Sequence, residues 1–469
     1  MRILPSCQDR SYWTPNPEEK GHLSPIIGWG AAAAFVAFLT SEGLPVLKER
    51  AKAQDEVDTT VRNTTAGALD DGRSLATSGS VADLGKLGVH PATRQVPYQP
   101  RDIESEAQQV LADGHALLVL GESMAGKSRM CAHIIQGAYP NHRLMNPLPE
   151  KLPELLAATR IEGVVVWLDD LERYLNVAGL RPDWVDVLLD GQNIVVATMR
   201  SRAHDAFMPT GEVRHPQLPA LRRFQAKRLK DTADETARLA AAMPDPAAAA
   251  GVARYGLGAY IGGGPYAVER FEDARTSHPL GQAMVRAAVD WRRIGLEAIS
   301  TTTLAKLAPA YLNSRHHDGS ESTRDALNWA RARVFEVVQL LESGAEPDSV
   351  RATDYMLDHL SAEKEPIPDL VWETATGTPL PAADALTLAM GAYRANRPQI
   401  AAALWKRVAG SGHADQAPVA AFNLGVLEQE QGEVAAARAA YQLAIDSGHA
   451  DQAPRAAFNL GILDRSRAV

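Results

Sequence analysis

One eight-residue segment constrains this chain more than any other feature. Residues 121–128 read GESMAGKS, which satisfies G-x-x-x-x-G-K-[ST] in full, and they directly follow the apolar run HALLVL. In such a loop the glycines let successive backbone N–H groups turn onto phosphate oxygens. The helix expected from KSRMCAHIIQGAY would direct its N-terminal dipole at the same anion. The segment therefore predicts a strand, a phosphate-binding loop and a helix in succession.

The loop and the helix start supply most of the predicted nucleotide contacts. We expect nine residues there to surround the nucleotide: Gly121, Glu122, Ser123, Met124, Ala125, Gly126, Lys127, Ser128 and Arg129. Lys127 would neutralise the β- and γ-phosphates and so contribute to catalysis, and the Ser128 hydroxyl would hold Mg²⁺. The sequence has no LSGGQ-like stretch and no N-K-x-D guanine box. ATP and Mg²⁺ are therefore the expected cofactors, in preference to GTP.

Two further apolar runs end in side chains that suit this chemistry. GVVVWL at residues 163–168 ends in Asp169 and Asp170, and an acidic strand end beside a phosphate loop supplies a magnesium ligand. We expect Asp169 to face the magnesium shell and Asp170 to polarise the attacking water, with Glu172 as its competitor. NIVVA at residues 193–197 leads into Arg200, which either senses the γ-phosphate or is a solvated strand end.

The alternation of apolar strands with helix-length spacers predicts an α/β P-loop NTPase domain with a mostly parallel sheet. In such a sheet the ligand lies at the carboxyl ends of the strands. The basic residues of the same region are interpreted as a solvated helix face because acidic residues follow them; they are Arg222, Arg223, Lys227, Arg228 and Lys230.

Over residues 98–275 the chain resembles the STAND branch of AAA-like P-loop ATPases, which are signal-transduction switches that couple an ATPase core to repeats. YQPRDIESEAQQVLADG is similar to the family's entry motif, which implies that Arg101 lies near the nucleotide. IVVATMRS resembles the strand that ends in a sensor arginine, here Arg200. RRFQAKRLKDTADETARLA resembles the start of the lid, and GGGPYAVERF contains a G-x-P turn whose proline, Pro265, would pack on adenine.

The C-terminal part repeats itself. SGHADQAPVAAFNLGVLEQ at residue 411 returns as SGHADQAPRAAFNLGILDR at residue 447, and a diverged first copy begins near residue 375. The pattern resembles the tetratricopeptide repeat, whose characteristic positions fall here on Leu424, Gly425, Ala437, Tyr441 and Ala444. The resemblance implies an α-solenoid of TPR-like repeats over residues 375–469 that binds a protein partner. A third copy that stops after its first helix leaves an uncovered edge, which favours a partner or a homo-oligomer.

The region between these two parts is predicted to be helical. HPLGQAMVRAAVDWRRIGLEA and TRDALNWARARVFEVVQLLESG both have the apolar period of amphipathic helices. The pattern alone predicts an all-α region at residues 276–374, and the family resemblance implies a helical or winged-helix-like domain.

The N-terminal part contains a candidate membrane anchor. The 21 residues between Lys20 and Glu42 carry no formal charge, and as a helix they would span about 31 Å. We expect a transmembrane helix at residues 23–47, between a tail at 1–22 and a polar linker at 48–97, although a buried core helix is the alternative. Because the loop needs cytosolic nucleotide, the expected location is the cell membrane, single-pass, with an extracytoplasmic N-terminus and with the ATPase and the repeats in the cytoplasm.

Composition excludes several other classes. A net charge of −9 disfavours a dedicated nucleic-acid binder, so nucleic acid is not an expected partner. Cys7 and Cys131 cannot form a disulfide framework, and residues 316–318, read as a solvated loop, lack the further ligands of a metal site.

These observations favour a membrane-anchored ATP-binding and ATP-hydrolysing switch whose C-terminal repeats bind a protein partner. A membrane-tethered TPR scaffold with a structural nucleotide is the alternative from another class. A ring-forming AAA+ remodelling ATPase is the third hypothesis.

Overall fold

The computed structural model of the chain describes residues 69–70, 74–93, 96–158, 161–176, 179–312, 320–334 and 337–465. The described residues all belong to one compact unit, residues 60–469.

The strands of the described residues follow in chain order. They are β1 (Leu69–Asp70), β2 (Ser74–Leu75), β3 (Ala116–Gly121), β4 (Arg143–Met145), β5 (Val164–Leu168), β6 (Ile194–Arg200), β7 (Phe224–Arg228), β8 (Ile299–Ser300), β9 (Leu341–Ser343) and β10 (Ser349–Ala352).

The α-helices are numbered in the same way. They are α1 (Glu104–Ala112), α2 (Lys127–Ala138), α3 (Leu152–Ala158), α4 (Leu171–Asn176), α5 (Pro182–Leu189), α6 (Ser201–Phe207), α7 (Leu218–Leu221), α8 (Ala233–Ala241), α9 (Pro246–Tyr255), α10 (Leu257–Ile261), α11 (Gly264–Ser277), α12 (Pro279–Arg293), α13 (Thr301–Leu307), α14 (Thr323–Arg331), α15 (Asp354–Ala362), α16 (Asp369–Gly377), α17 (Ala382–Arg394), α18 (Pro398–Ala409), α19 (Gln416–Glu430), α20 (Val434–Asp446) and α21 (Gln452–Arg465). Short 3₁₀ helices lie at Ser78–Ser80, Leu84–Leu87, Pro149–Lys151, Asp190–Gln192 and Ala308–Tyr311.

A five-stranded parallel sheet of order β4-β5-β6-β3-β7 forms the centre of the α/β part. Every residue of β3 and β5 is buried, as expected for strands covered on both faces. The register places Gly121 of β3 level with Arg200 of β6, and Leu168 of β5 level with Ala197. The segments that follow β3, β5 and β6 therefore meet at one edge of the sheet.

Helices cover both faces of this sheet and continue through the C-terminal part. One face packs on α1 and α2, the other on α3, α4 and α5. A separate apolar cluster joins α8, α9 and α10. The C-terminal helices share one large core with α11 to α16. The coarse prediction of an α/β domain followed by a large helical region is thus confirmed.

The repeat helices pack closely. α19 and α21 begin 36 residues apart, as the repeated sequence predicts. Ala437, Tyr441 and Ala444 are fully buried, and a Cβ on Gly425 would lie 2.5 Å from the Tyr441 ring. Gly425 therefore permits the close approach of α19 and α20.

Two strand regions differ from the sequence-based prediction. The basic segment expected on a helix face contains β7, which pairs with β3 at the edge of the sheet. Residues 276–374, expected to be all-α, contain the antiparallel sheet β8-β10-β9. The sequence pattern did not predict β7 because only Phe224 of that strand is buried. It did not predict β8, β9 or β10 because these strands have two to four residues, too few to show an alternating pattern.

The described residues of the expected linker at 48–97 include a stretch, residues 75–87, that packs on the α/β part. Leu75, Val81 and Leu87 are buried, and the Leu144 amide donates to the Ala76 carbonyl at 2.8 Å. The described part of this segment has two short 3₁₀ helices, at Ser78–Ser80 and Leu84–Leu87, and otherwise mostly irregular backbone, so its buried residues follow no fixed period.

The prediction of a membrane anchor is contradicted. No helix among the described residues is long and apolar enough to cross a membrane. The longest of them, α12 and α19, have 15 residues each, or about 22 Å against a hydrocarbon core of about 30 Å. The segment at 23–47 lies outside the described residues. We withdraw the transmembrane helix, the membrane as a partner and the single-pass location.

Candidate functional site

The loop between β3 and α2 lies at the carboxyl edge of the sheet. Gly126 has a φ of 92°, a left-handed conformation that glycine adopts without strain, and α2 begins at the next residue. The Lys127 amine donates to the Glu122 carbonyl at 2.8 Å, and Lys127 is only 8% exposed. The loop thus turns back over its own lysine at the start of a helix.

Ser128, Asp169 and Thr198 form a hydrogen-bonded cluster beside this loop, in which Thr198 is buried and the other two are half-buried. The Ser128 hydroxyl donates to Asp169 Oδ1 at 2.9 Å, and the Thr198 hydroxyl donates to the same oxygen at 2.6 Å. Burial and the neighbouring Asp170 raise the pKa of Asp169 to about 7. A serine hydroxyl and a carboxylate are oxygen donors of the kind that Mg²⁺ prefers, so these residues fit the ion.

The two candidates for the catalytic base lie in different surroundings. Asp170 lines the cleft beside the loop, and its φ of 55° is left-handed. Glu172 is buried, does not line that cleft, and accepts from Arg200 Nε at 3.0 Å. Burial raises the pKa of Glu172 to about 7, although Arg200 acts in the opposite direction.

Arg200 is a buried strand end that faces the cleft. It is 7% exposed, and besides Glu172 it pairs with Asp354 Oδ1 at 3.2 Å. This excludes the alternative that Arg200 is a solvated strand end.

Arg101 joins three parts of the chain. Its guanidinium donates to the Ala125 carbonyl of the loop at 2.7 Å and pairs with Asp231 at 2.7 Å and Glu235 at 2.9 Å. Since Glu235 lies on α8, Arg101 connects the loop to the helices that follow the sheet. Its nitrogens are already engaged by protein oxygens, so its geometry is that of a positioning residue.

A second cavity lies next to the loop. Residues 96–99, Arg129, and Leu257 and Ile261 of α10 are among its lining residues. Pro265 lines neither this cavity nor the cleft, so the structure does not bring it together with the other predicted residues. A Cβ on Gly258 would lie 1.9 Å from the Met124 carbonyl, and α10 therefore contacts the loop closely. The signal that could have indicated this contact is a glycine inside a helical pattern.

Residues 88–93 form a strap across the cleft, which sequence reasoning missed. A Cβ on Gly88 would lie 1.7 Å from Asp169 Oδ2, and the φ of Gly88 is 72°. At its other end the Thr93 amide and hydroxyl donate to the Ile261 carbonyl at 2.7 and 2.9 Å. The strap therefore connects the acidic strand end to α10.

Two carboxylates of α15 were also missed, because they lie some 230 residues beyond the loop. Asp358 accepts from the Ser123 amide at 2.8 Å, and its other oxygen is buried without a hydrogen-bond partner among the described residues. Asp354 pairs with Arg200 and with Arg292, the latter at 2.6 Å. Burial acts to raise the pKa of Asp354, but these guanidiniums hold it well below its usual range.

Comparison with known proteins does not assign the chain to a family. No family model matches the chain, and no curated protein matches it. A solved structure of a STAND protein with a tetratricopeptide repeat sensor from Pyrococcus horikoshii is similar, with 10% identity and a TM-score of 0.30. The match covers 81% of this chain and 66% of that protein's length. At that TM-score the likeness carries no argument about fold or function.

Proposed function

We propose that this protein is an ATP-binding and ATP-hydrolysing signalling switch whose C-terminal repeats bind a protein partner. One observation carries the proposal: Ser128 and Asp169 meet beside the loop that begins α2, and two carboxylates of α15 contact the same loop and Arg200. The Ser123 amide and Arg200, which would contact the phosphates, therefore also hold α15 of the C-terminal part.

The residues of the cleft divide into four roles. Lys127 and the loop amides would bind the phosphates, and Ser128 with Asp169 would hold Mg²⁺. When bound, Mg²⁺ neutralises charge on the transferred phosphoryl group. Asp170 would orient the attacking water; its exposure to the cleft supports it over Glu172, whose carboxylate pairs with Arg200.

The contacts of α15 support a switch. Asp358 occupies a loop amide and Asp354 occupies Arg200, and both donors suit a phosphate oxygen. The cleft is about 100 Å³ in this structure, below the roughly 300 Å³ of ordinary ligand pockets. ATP would therefore compete with α15 for these donors and favour its release.

The repeats hold a loop of the α/β part in a way that supports peptide binding. Asn423 of α19 accepts from the Arg214 amide at 3.2 Å and donates to the Arg214 carbonyl at 3.0 Å. Asn459, the same position one repeat later, donates to the Glu212 carboxylate at 2.7 Å. A partner that presents an extended backbone beside an acidic side chain could make the same bonds, so these asparagines are the proposed contact points.

The proposal is tested by ATP binding and turnover of the full chain. Lys127→Ala should abolish binding, whereas the exposed control Lys151→Ala should not. Asp170→Asn should retain binding and lose at least about a hundredfold in turnover, because general-base catalysis contributes about that much. Asparagine is chosen because it tolerates a left-handed φ.

Two outcomes would contradict the proposal. Failure of the folded wild-type chain to bind ATP would exclude a nucleotide switch. Unchanged turnover by Asp170→Asn would exclude Asp170 as the base and return Glu172 to consideration.

A further inference from the structure

A third cavity lies behind Arg200, away from the loop. It is enclosed by α6, the end of α12 and α17, with Leu357 of α15 on one side. Its volume is about 470 Å³, within the range of small-molecule sites. Of the residues that the structure describes, Arg200 alone lines both this cavity and the cleft of the loop. We call it the arginine cavity.

Positive charge dominates its lining. Five arginines contribute to it: Arg200, Arg202, Arg292, Arg293 and Arg394. Three carboxylates accompany them: Glu172, Asp205 and Glu297. Arg200, Arg292 and Arg293 have carboxylate partners within 4 Å, so their charge is largely compensated.

The other two arginines have no such compensation among the described residues. Arg202 has no hydrogen-bond or ion-pair partner there, and burial together with Arg293 lowers its pKa. Arg394 donates only to neutral oxygens, the Met208 carbonyl at 2.9 Å and the Thr210 hydroxyl at 3.2 Å. Both side chains are half-buried, and a half-buried guanidinium without an anion is unfavourable, so the cavity presents two positive charges with no carboxylate partner among the described residues.

The rest of the wall is apolar. Phe207, Ile294, Leu296, Leu357 and Met390 all line the cavity. An inorganic ion would not contact these apolar side chains, whereas a molecule with an apolar body would pack against them.

We propose that the arginine cavity is a binding site for a small organic oxyanion, with its phosphate or carboxylate group on Arg202 and Arg394 and its apolar body against α12 and α17. Guanidinium groups bind both kinds of anion through paired N–H donors. The site lies where the α/β part, α12 and the first repeat helix meet, so its ligand would contact all three. It goes beyond the proposed function and does not require that the loop bind ATP.

Two probes with a common ring test the site in the full chain. Phenyl phosphate and phthalate each carry an apolar ring, one with a phosphate and one with two carboxylates. Isothermal titration calorimetry should detect binding of at least one probe to the wild type. Arg202→Gln should weaken it at least about tenfold, the expected effect of losing a charge-assisted hydrogen bond.

Two matched variants make the test specific. Arg222→Gln removes an exposed arginine, and Lys127→Ala removes the lysine of the loop, so both should bind the probe as the wild type does. Binding of phenyl phosphate alone would identify a phosphate ligand, and binding of phthalate alone a dicarboxylate. Since Arg202 has no hydrogen-bond or ion-pair partner among the residues that the structure describes, its replacement should leave the folded state intact. Arg394→Gln provides a second, independent loss of affinity.

Three results would overturn the site. They are absence of binding of both probes to the wild type, wild-type affinity in both arginine variants, and loss of binding in Lys127→Ala with full binding in Arg202→Gln. The last result would place the probe in the phosphate loop. Failure of ATP to bind the loop would leave these outcomes unchanged, which separates this site from the proposed function.

Discussion

His215 shows how its surroundings set the charge of one residue. It is 5% exposed, and its ring lies 4.2 Å from that of Phe207 between centroids. Burial, and next the nearby Arg394, lower its pKa from 6.5 to about 3. The folded protein therefore keeps His215 neutral through most of the acid range.

This shift predicts a pH dependence of stability. Because the folded-state pKa lies below the unfolded value, the unfolded chain takes up the proton first as the pH falls. The stability that the neutral ring contributes is complete above pH 6.5 and is lost toward pH 3, at up to about 1.4 kcal/mol per pH unit. His215→Gln should flatten the plot of unfolding free energy against pH in this window.

Denaturant unfolding at several pH values measures this slope. His115→Gln is the matched control, because His115 is exposed and its replacement should leave the slope unchanged. Equal slopes for the wild type and His215→Gln would contradict the prediction.

At the scale of the element, the two full-length copies of one repeat helix differ in their packing. Gly425 in α19 and Gly461 in α21 occupy the same repeat position. A Cβ on Gly425 would meet the Tyr441 ring at 2.5 Å, whereas a Cβ on Gly461 would have no atom of the described part of the chain within 4 Å. The same sequence position is therefore an interior contact in one copy and open in the next.

Alanine should act with opposite sign at these two positions. Gly425→Ala should destabilise the protein by about 1–3 kcal/mol through overpacking. Gly461→Ala should stabilise it by about 0.5–1 kcal/mol through helix propensity. Thermal unfolding of the two variants measures both, and a stabilising Gly425→Ala would contradict the packing of α19 on α20.

Helix α15 gives a second prediction at this scale. If Asp358 competes with phosphate for the Ser123 amide, Asp358→Ala should raise the affinity for ATP severalfold. Glu363→Ala, at the end of the same helix, serves as the control and should leave the affinity unchanged. A weaker affinity in Asp358→Ala would mean that this carboxylate supports nucleotide binding instead.

At the scale of the molecule, the loop at 208–215 connects the sheet to the repeats. Val213 is fully buried within the core of the helical part. Arg394 donates to the Met208 carbonyl, and Arg455 donates to the Glu212 carbonyl at 3.2 Å. Together with Asn423, these contacts bring the repeats onto a segment more than 170 residues earlier in the chain.

Removal of the Asn423 amide should loosen this connection. Asn423→Ala leaves the Arg214 amide and carbonyl without their side-chain partner, at a cost of about 1–3 kcal/mol. Hydrogen exchange of residues 208–215 should accelerate accordingly. Asn459→Ala should have a smaller effect, because Asn459 bonds the Glu212 side chain and no backbone group of the loop. Unchanged exchange in Asn423→Ala would contradict the connection.

The sequence alone predicted those features that depend on residues close together in the chain. The apolar runs of β3 and β5 lie within a residue of their predicted bounds, since a strand buried on both faces must be continuously apolar. Strand β6 begins within a residue of its prediction but continues three residues past the predicted end at residue 197. The turn at 121–128 and the close helix contact at Gly425 could also be predicted from the sequence. A left-handed turn and a close approach of two helices each require glycine or another small residue.

Only the tertiary structure decided which distant groups meet. Asp354 and Asp358 reach Arg200 and Ser123, and the strap at 88–93 reaches Asp169, through contacts that no local pattern encodes. The same holds for β7, whose pairing with β3 compensates for its polar sequence. Local sequence determined the turn at residues 121–128 and the pairing of the repeat helices, because backbone conformation and the packing of neighbouring helices are short-range. The arrangement around them depended on long-range charge pairing and burial.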